Sequence, residues 1–411
     1  MVEFVTGVYL AFMFIALYMF SFFIILTIRN KERLFSYPEM KKEYRVSVLI
    51  PAYNEEDSIE ETIRHVMELE YPKSKIEVIV INDGSRDGTL GKVKKLLGRY
   101  KNLKLIDKEN SGKANSLNMG VKGARGELIA VVDSDSFPSP SSLRKLAGFF
   151  NDEKMGAVTS FVSVRNADEN FFARIQSIEY LILGWSRNLL DFVDSVYVTN
   201  GPLSLYRKKY IEEVGGFDSK TVTEDIDITW NMMEHGYKTG MCLDARVSTI
   251  VPHKFRAWFR QSVRWGLGGL QAISKYRKSF FKKGIFGAFV LPFVSLTIVL
   301  SIFAFVFSVY LILRSVLIRT LSASYSVAAQ SALFRFEDIN LHPSILIFFL
   351  IALFILSMSY SWYVLQTTKF EKKLDVRRFF TLIFYTIVYL SFYPVIWFAS
   401  LYRYIKKDYT W

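Results

Sequence analysis

Val46-Ser47-Val48-Leu49-Ile50-Pro51-Ala52-Tyr53-Asn54-Glu55 runs from a β-branched apolar stretch directly into polar residues. Three later stretches share this form: Ile76 to Ile81, Leu103 to Ile106 and Leu128 to Val132. Helical spacing separates them, with Ile59, Ile63 and Val66, then Val93, Leu96 and Leu97, then Leu117 and Val121. Short apolar strands alternating with helices predict an α/β domain with a mostly parallel sheet covered on both faces. Such a sheet binds ligands beyond the carboxyl ends of its strands. The residues leaving those ends are Pro51 to Glu55, Asn82-Asp83-Gly84-Ser85 and Asp133-Ser134-Asp135. Neither G-x-G-x-x-G nor G-x-x-x-x-G-K-[ST] follows a strand, which sets aside nicotinamide dehydrogenases and P-loop enzymes.

This polar block, about 44–252, sits in a hydrophobic chain. The 411 residues carry a formal net charge of +13, with 51% hydrophobic, 16% aromatic and only 22% charged side chains. That composition excludes a disordered or purely soluble protein. The single cysteine, Cys242, excludes an internal disulfide framework and reads as a buried thiol. Four stretches lack Asp, Glu, Lys and Arg: Phe4 to Ile28, Ile285 to Leu313, Ser344 to Thr368 and Phe379 to Tyr402. Each is long enough to cross a bilayer as a helix, about 20 residues being required. The first lacks a basic leading end and exceeds the usual signal-peptide core, so it reads as a retained anchor. The basic residues behind it, Arg29 to Arg45, predict an outside N-terminus and a cytoplasmic domain in an integral, multi-pass protein of the cell membrane. Four alternating crossings place the basic loop containing Lys369 and Arg378 in the cytoplasm but leave Arg403, Lys406 and Lys407 outside, against the charge rule. A re-entrant or interfacial segment is the alternative. The expected organisation is an anchor at 1–29, a catalytic domain at 44–252, interface helices at 253–284 and about three membrane segments in 285–411.

Several residues could carry chemistry. Asp133 and Asp135, two apart at a strand end, point to one side of an extended chain and could share a hard divalent cation; paired acids there also occur as solvated turn residues. Tyr53 could stack on a nucleobase and Asp83 accept a bond from one, or the two could be a surface tyrosine and an Asp-Gly turn. Lys113 stands at an expected helix start, favourable for phosphate, although a solvated lysine fits as well. In Thr223-Glu224-Asp225, a partly buried Asp225 would have a raised pKa and could take a proton from an acceptor hydroxyl; helix capping is the alternative. Gly201 and Pro202, leading to Arg207, read as a turn into a strand. Residues 254–283 hold nine basic and no acidic side chains, interleaved with aromatics, as in a helix lying on anionic lipid. Nucleic acid fits this run poorly, because it leads into a membrane span. Gln261, Arg264 and Trp265 share one face of that helix, where they could orient, grip a diphosphate and stack on a sugar.

As a set, P-A-Y-N-E at 51–55, N-D-G-S at 82–85, D-S-D at 133–135, G-P-L-S-L-Y-R at 201–207, T-E-D at 223–225 and Q-S-V-R-W at 261–265 resemble the processive membrane glycosyltransferases of family 2. These include cellulose, chitin, hyaluronan and poly-N-acetylglucosamine synthases. The segment Gln261 to Gly269 is most similar to the poly-N-acetylglucosamine synthases, and the arrangement of spans to chitooligosaccharide synthases. The resemblance implies a GT-A fold, a UDP-sugar donor, Mg²⁺ or Mn²⁺, and inverting transfer. It further implies nucleotide contacts from Pro51, Ala52, Tyr53, Glu55, Asp83, Lys113 and Asp133, and a metal at Asp135 with Asp133. Asp225 would be the base beside Glu224, with Gly201, Pro202, Gln261, Arg264 and Trp265 at the acceptor and diphosphate. His253 stands where relatives often carry Thr or Glu and is a candidate further metal ligand.

The expected activity is extension of a polysaccharide, with N-acetylglucosamine as best donor sugar and export between the protein's own helices. Tyr360, Trp362, Tyr363, Tyr385, Tyr389, Tyr393 and Trp397 are available to line the path. Transfer of one sugar to ceramide, diacylglycerol or polyprenyl phosphate is the enzyme alternative, and a sugar-nucleotide receptor or scaffold the non-enzyme one. An accessory subunit is left open.

Overall fold

The computed structural model describes residues 2–328, 345–368 and 376–409. Lys369, Lys372 and Lys373 of the expected cytoplasmic loop lie outside them.

Among the described residues eight strands form one sheet: β1 (Val46–Ala52), β2 (Ile76–Asp83), β3 (Leu103–Lys108), β4 (Leu128–Val131), β5 (Ser136–Pro138), β6 (Met155–Val164), β7 (Ser204–Arg207) and β8 (Lys238–Thr249), in the order β3-β2-β1-β4-β7-β6-β8-β5. The four strands expected from sequence are parallel neighbours. The rest is mixed: β7 runs antiparallel to β4 and β6, β8 is parallel to β6, and β5 is antiparallel to β8. Pro51 and Ala52 belong to β1, paired with Ile81 and Asn82, and do not enter the loop beyond it.

Strand periodicity explains the two cores. Val48, Ile50, Val78 and Val80 point to one face and bury with Ile59, Ile63, Val66, Val93 and Leu96. Leu49, Ile79 and Ile81 point to the other and bury with Ala114, Leu117 and Val121. Because both faces are covered, these strands are apolar without alternation.

A third core joins this domain to the apolar helices. Ile175, Ile178, Trp185 and Leu189 of the helix Phe171–Asp191 pack with Trp258 and Val263 of the interface helix Phe255–Lys275, and with Leu382, Tyr389 and Ile396 near the C-terminus. Tyr389 donates a hydrogen bond to buried Glu179 at 2.6 Å, and Tyr393 donates to the same carboxylate.

Three helices among the described residues are long and apolar enough to cross a membrane: Thr6–Asn30, Phe286–Leu321 and Val376–Lys406. The third apolar stretch also forms a helix, Ile345–Thr368. Thr27 and Trp185 both meet its Tyr360 hydroxyl, at 2.8 and 3.0 Å. Val376–Lys406 is broken by a π-turn at Tyr385–Tyr389 and a 3-10 turn at Leu390–Phe392. It follows the interface helix along its length: the rings of Tyr389 and Trp258 are 4.6 Å apart, those of Phe392 and Phe255 5.1 Å apart, and Ser400 donates to the Val263 carbonyl at 3.1 Å.

Candidate active site

The carboxyl ends of the strands, the acidic helix start and the interface helix enclose a cavity of about 270 Å³. Lys113, Asp133, Asp135, Gly201, Pro202, Glu224, Asp225, Gln261, Arg264 and Trp265 all line it. Five elements far apart in sequence are thus brought to one space.

The chain turns at Ser134 and Asp135, with the Ser136 N–H donating to the Asp133 carbonyl at 3.1 Å. Asp133 and Asp135 therefore share the cavity through a turn and not, as expected, through an extended strand. Glycine is required opposite them, since a Cβ on Gly201 would collide with the Asp133 carboxylate. Lys113 begins the helix Lys113–Gly123, and its ammonium bridges Asp133 at 2.6 Å and Glu224 at 2.8 Å. Burial opposes its charge, but Asp133, Glu224 and Asp225 outweigh that and hold it firmly protonated.

Glu224 and Asp225 occupy the first turn of the helix Glu224–Glu234, and their electrostatics diverge. Burial alone would raise Glu224, yet the Lys113 ammonium draws its pKa below the ordinary value. Burial, reinforced by the Glu224 charge, pushes Asp225 up to about 6 despite Lys113. Asp135 also rises to about 6, through burial and then repulsion from Asp133. Asp227, in the same acidic run, is not part of the cavity lining. Its buried carboxylate holds the end of the interface helix, through Lys275 at 2.7 Å and the Tyr276 hydroxyl at 3.2 Å.

The interface helix reaches this helix because it carries glycine at the contact: a Cβ on Gly268 would occupy the Thr223 side chain. The Gln271 amide oxygen accepts from the Val222 N–H at 3.0 Å, tying the same segments. Gln261, Arg264 and Trp265 consequently face the acids. Among the described residues, three buried polar atoms of the lining, Gln261 Oε1, Thr223 Oγ1 and Arg187 Nε, have no hydrogen-bond partner, and a ligand with both donors and acceptors would satisfy them.

Pro51, Ala52, Tyr53, Glu55 and Asp83 are not among the lining residues. Glu55 still feels Asp135 and Asp133; burial first, then those charges, raise it to about 7. Tyr53 is exposed, on a loop fastened to the next one by Asn54 N–H to Ser85 Oγ at 3.0 Å and Arg86 N–H to Asn54 Oδ1 at 2.8 Å. The Asp83 carboxylate accepts from the Ser111 and Gly112 N–H groups, both at 2.9 Å, and pairs with Lys108. It positions the loop that delivers Lys113. His253 also stands off the cavity, its ring held by Asn170 at 2.9 Å and Asn166 at 3.3 Å.

Sequence reasoning missed Arg187, Tyr180 and Asn200 of the lining. Arg187 donates to Asn200 Oδ1 at 2.6 Å. No local pattern marks them, since they meet only through the fold.

Asp133 and Asp135 offer oxygen donors suited to a hard divalent cation, and the repulsion raising Asp135 is what a cation would relieve. Among the described residues no group of three or more His, Cys, Asp or Glu side chains could hold a metal. Two carboxylates fit Mg²⁺, which commonly takes its remaining ligands from substrate phosphate and water.

A glycosyltransferase-like family 2 model matches residues 44–268, more than half of the chain. The chain is 33% identical over 252 residues to the probable glycosyltransferase YdaM of Bacillus subtilis (strain 168), covering 59% of each protein. It is 30% identical over 260 residues to the poly-beta-1,6-N-acetyl-D-glucosamine synthase of Staphylococcus aureus (strain MSSA476), covering 63% of this chain and 62% of that one. The match thus spans about three fifths of these curated relatives' length. The solved structure of the mannosyltransferase PcManGT from Pyrobaculum calidifontis, in complex with GDP-Man and Mn2+, aligns with 98% of this chain and 99% of its own at a TM-score of 0.57 and 18% identity, a likeness of fold.

Proposed function

The chain belongs to the glycosyltransferase-like family 2, and we propose that it is a membrane-embedded inverting enzyme that adds sugar from a UDP-sugar to a growing β-linked polysaccharide. The observation that carries this reading is the single cavity joining Asp133 and Asp135, the Glu224-Asp225 pair and the Gln261-Arg264-Trp265 face. UDP-N-acetylglucosamine is the best candidate donor, supported by the similarity to the staphylococcal synthase.

In this mechanism Asp225 accepts the acceptor hydroxyl's proton as that oxygen attacks the anomeric carbon. The bond from that carbon to the diphosphate oxygen breaks on the opposite side, inverting the configuration, and UDP departs with the electron pair. Arg264 and Lys113 stabilise the leaving diphosphate, while Trp265 offers its ring to the acceptor sugar. Asp133 and Asp135 would hold Mg²⁺ or Mn²⁺, which supplies further charge neutralisation to the diphosphate when bound. Glu224 keeps Lys113 beside the donor.

Packing supports a topology of three crossings, with the domain cytoplasmic, the N-terminus outside and the final segment interfacial or re-entrant. Both halves of Val376–Lys406 return to the domain side: Phe384 meets Phe171 at 5.1 Å, and Tyr404 shares a cavity with Gln271. This arrangement returns Arg403, Lys406 and Lys407 to the cytoplasm, in agreement with the charge rule. The division into anchor, catalytic domain, interface helices and C-terminal membrane region is retained within it.

Screening UDP-sugars for UDP release, followed by sizing the product, tests the proposal. High-mass, glycosidase-sensitive product from UDP-N-acetylglucosamine is expected. A single organic-extractable glycolipid would establish the lipid-acceptor alternative, and nucleotide binding without UDP release the receptor one.

A further inference from the structure

We propose that the cavity where the interface helix meets the C-terminal helix is a binding site for a phosphate-bearing anion, supplied by the headgroup of an anionic phospholipid. Its volume is about 450 Å³, with Lys275, Arg277 and Lys278 on one side and Tyr404 and Tyr409 on the other. Lys275 is already neutralised, by Asp218 at 2.8 Å and Asp227 at 2.7 Å. Arg277 donates to the Ser274 carbonyl at 3.0 Å, and neither it nor Lys278 forms an ion pair among the described residues. Asp408, the acid beside Tyr409, is engaged with Arg403 at 3.0 Å. The cavity therefore presents uncompensated positive charge and hydroxyl donors, the complement of a phosphodiester.

Its place favours a lipid as the source. The turn Arg277–Ser279 stands just before the apolar helix Phe286–Leu321, and basic pockets beside a cytoplasmic span end gather anionic lipid. Phe281 and Ile285, 80% and 46% exposed, follow the cations in sequence and offer apolar surface that acyl chains would cover. The site also touches the catalytic machinery: Gln271, in its wall, holds Val222, and Lys275 holds Asp227, two residues beyond Asp225. An occupant here would steady the helix start that carries the base.

The test uses the full chain in mixed micelles, with phosphatidylglycerol or phosphatidylcholine retention read by native mass spectrometry and inorganic phosphate as soluble competitor. Arg277→Gln with Lys278→Gln should weaken phosphatidylglycerol retention by about thirtyfold. Both side chains are exposed, so no packing is lost. Lys94→Gln with Lys95→Gln, an equal charge change on the exposed face of Thr89–Leu97, should leave retention unchanged. Selective loss in the Arg277 and Lys278 variant, insensitive to inorganic phosphate, supports the lipid source. If inorganic phosphate competes, and binds the parent but not that variant, the same site draws on soluble phosphate. Equal retention of both lipids by the parent, or unchanged retention and phosphate binding in the variant, would overturn the site.

Discussion

Glu224 and Asp225 are chain neighbours whose acidities are driven apart, one held ionised by Lys113 and the other raised to about 6. Opposite shifts in adjacent carboxyls separate their roles: a permanent charge that fixes the lysine, and a group basic enough to take a proton near neutrality. The pH dependence follows in sign. As the proposed base Asp225 would work deprotonated, so transfer should fall as pH drops through about 6 and level off above it; a pH profile of kcat/KM that stays flat through this window would exclude Asp225 as the titrating base. Arg187 also lines the cavity. Its unpartnered Nε in the lining predicts that Arg187→Met lowers transfer by about ten- to a hundredfold, the usual loss for a charged hydrogen bond, with helix content by circular dichroism unchanged. Unaltered transfer would mean that Arg187 serves only to hold Asn200.

At the scale of elements, the interface helix brings Gln261, Arg264 and Trp265 to the cavity, and its glycines show how. Intrinsic propensity favours alanine over glycine in a helix by about 1 kcal/mol, so Gly→Ala should stabilise wherever space allows. Among the described residues nothing lies within 4 Å of a Cβ added at Gly269, whereas at Gly268 that atom would occupy the Thr223 side chain. Gly269→Ala should therefore raise Tm slightly and keep activity, while Gly268→Ala should reduce transfer by pushing the helix away from Glu224 and Asp225. Equal effects of the two, in paired melting and activity assays, would contradict this packing. The same contrast explains what could be read in advance. Strands β1, β2 and β4 were legible because both faces are buried and an apolar run fills most of each, β3 from its apolar Leu103, Leu105 and Ile106, and the Gln261-Arg264-Trp265 face because helical spacing alone aligns it. The helix Phe171–Asp191 was not, since its buried residues include Gln176, Ser177, Glu179 and Asn188, which interrupt the apolar period. Nor could the tie from Asp83 to Ser111 and Gly112 be inferred, because its partners lie 28 and 29 residues away.

For the whole molecule, a GT-A domain rests on apolar helices through one continuous core, and the last segment closes back onto the domain. The proposed three-crossing topology predicts a C-terminus on the catalytic side. Because Cys242 is the sole cysteine and is buried, Tyr409→Cys gives one accessible thiol, which an impermeant maleimide should label only from the face bearing the domain. Labelling from the opposite face would restore four crossings. We propose that the shared cavity binds a nucleotide sugar and that Asp225 turns binding into transfer. The most direct measurement sets calorimetric UDP affinity beside sugar transfer in Asp225→Asn: affinity should hold while transfer falls by about 10²- to 10⁴-fold, and transfer at the parent rate would contradict the account.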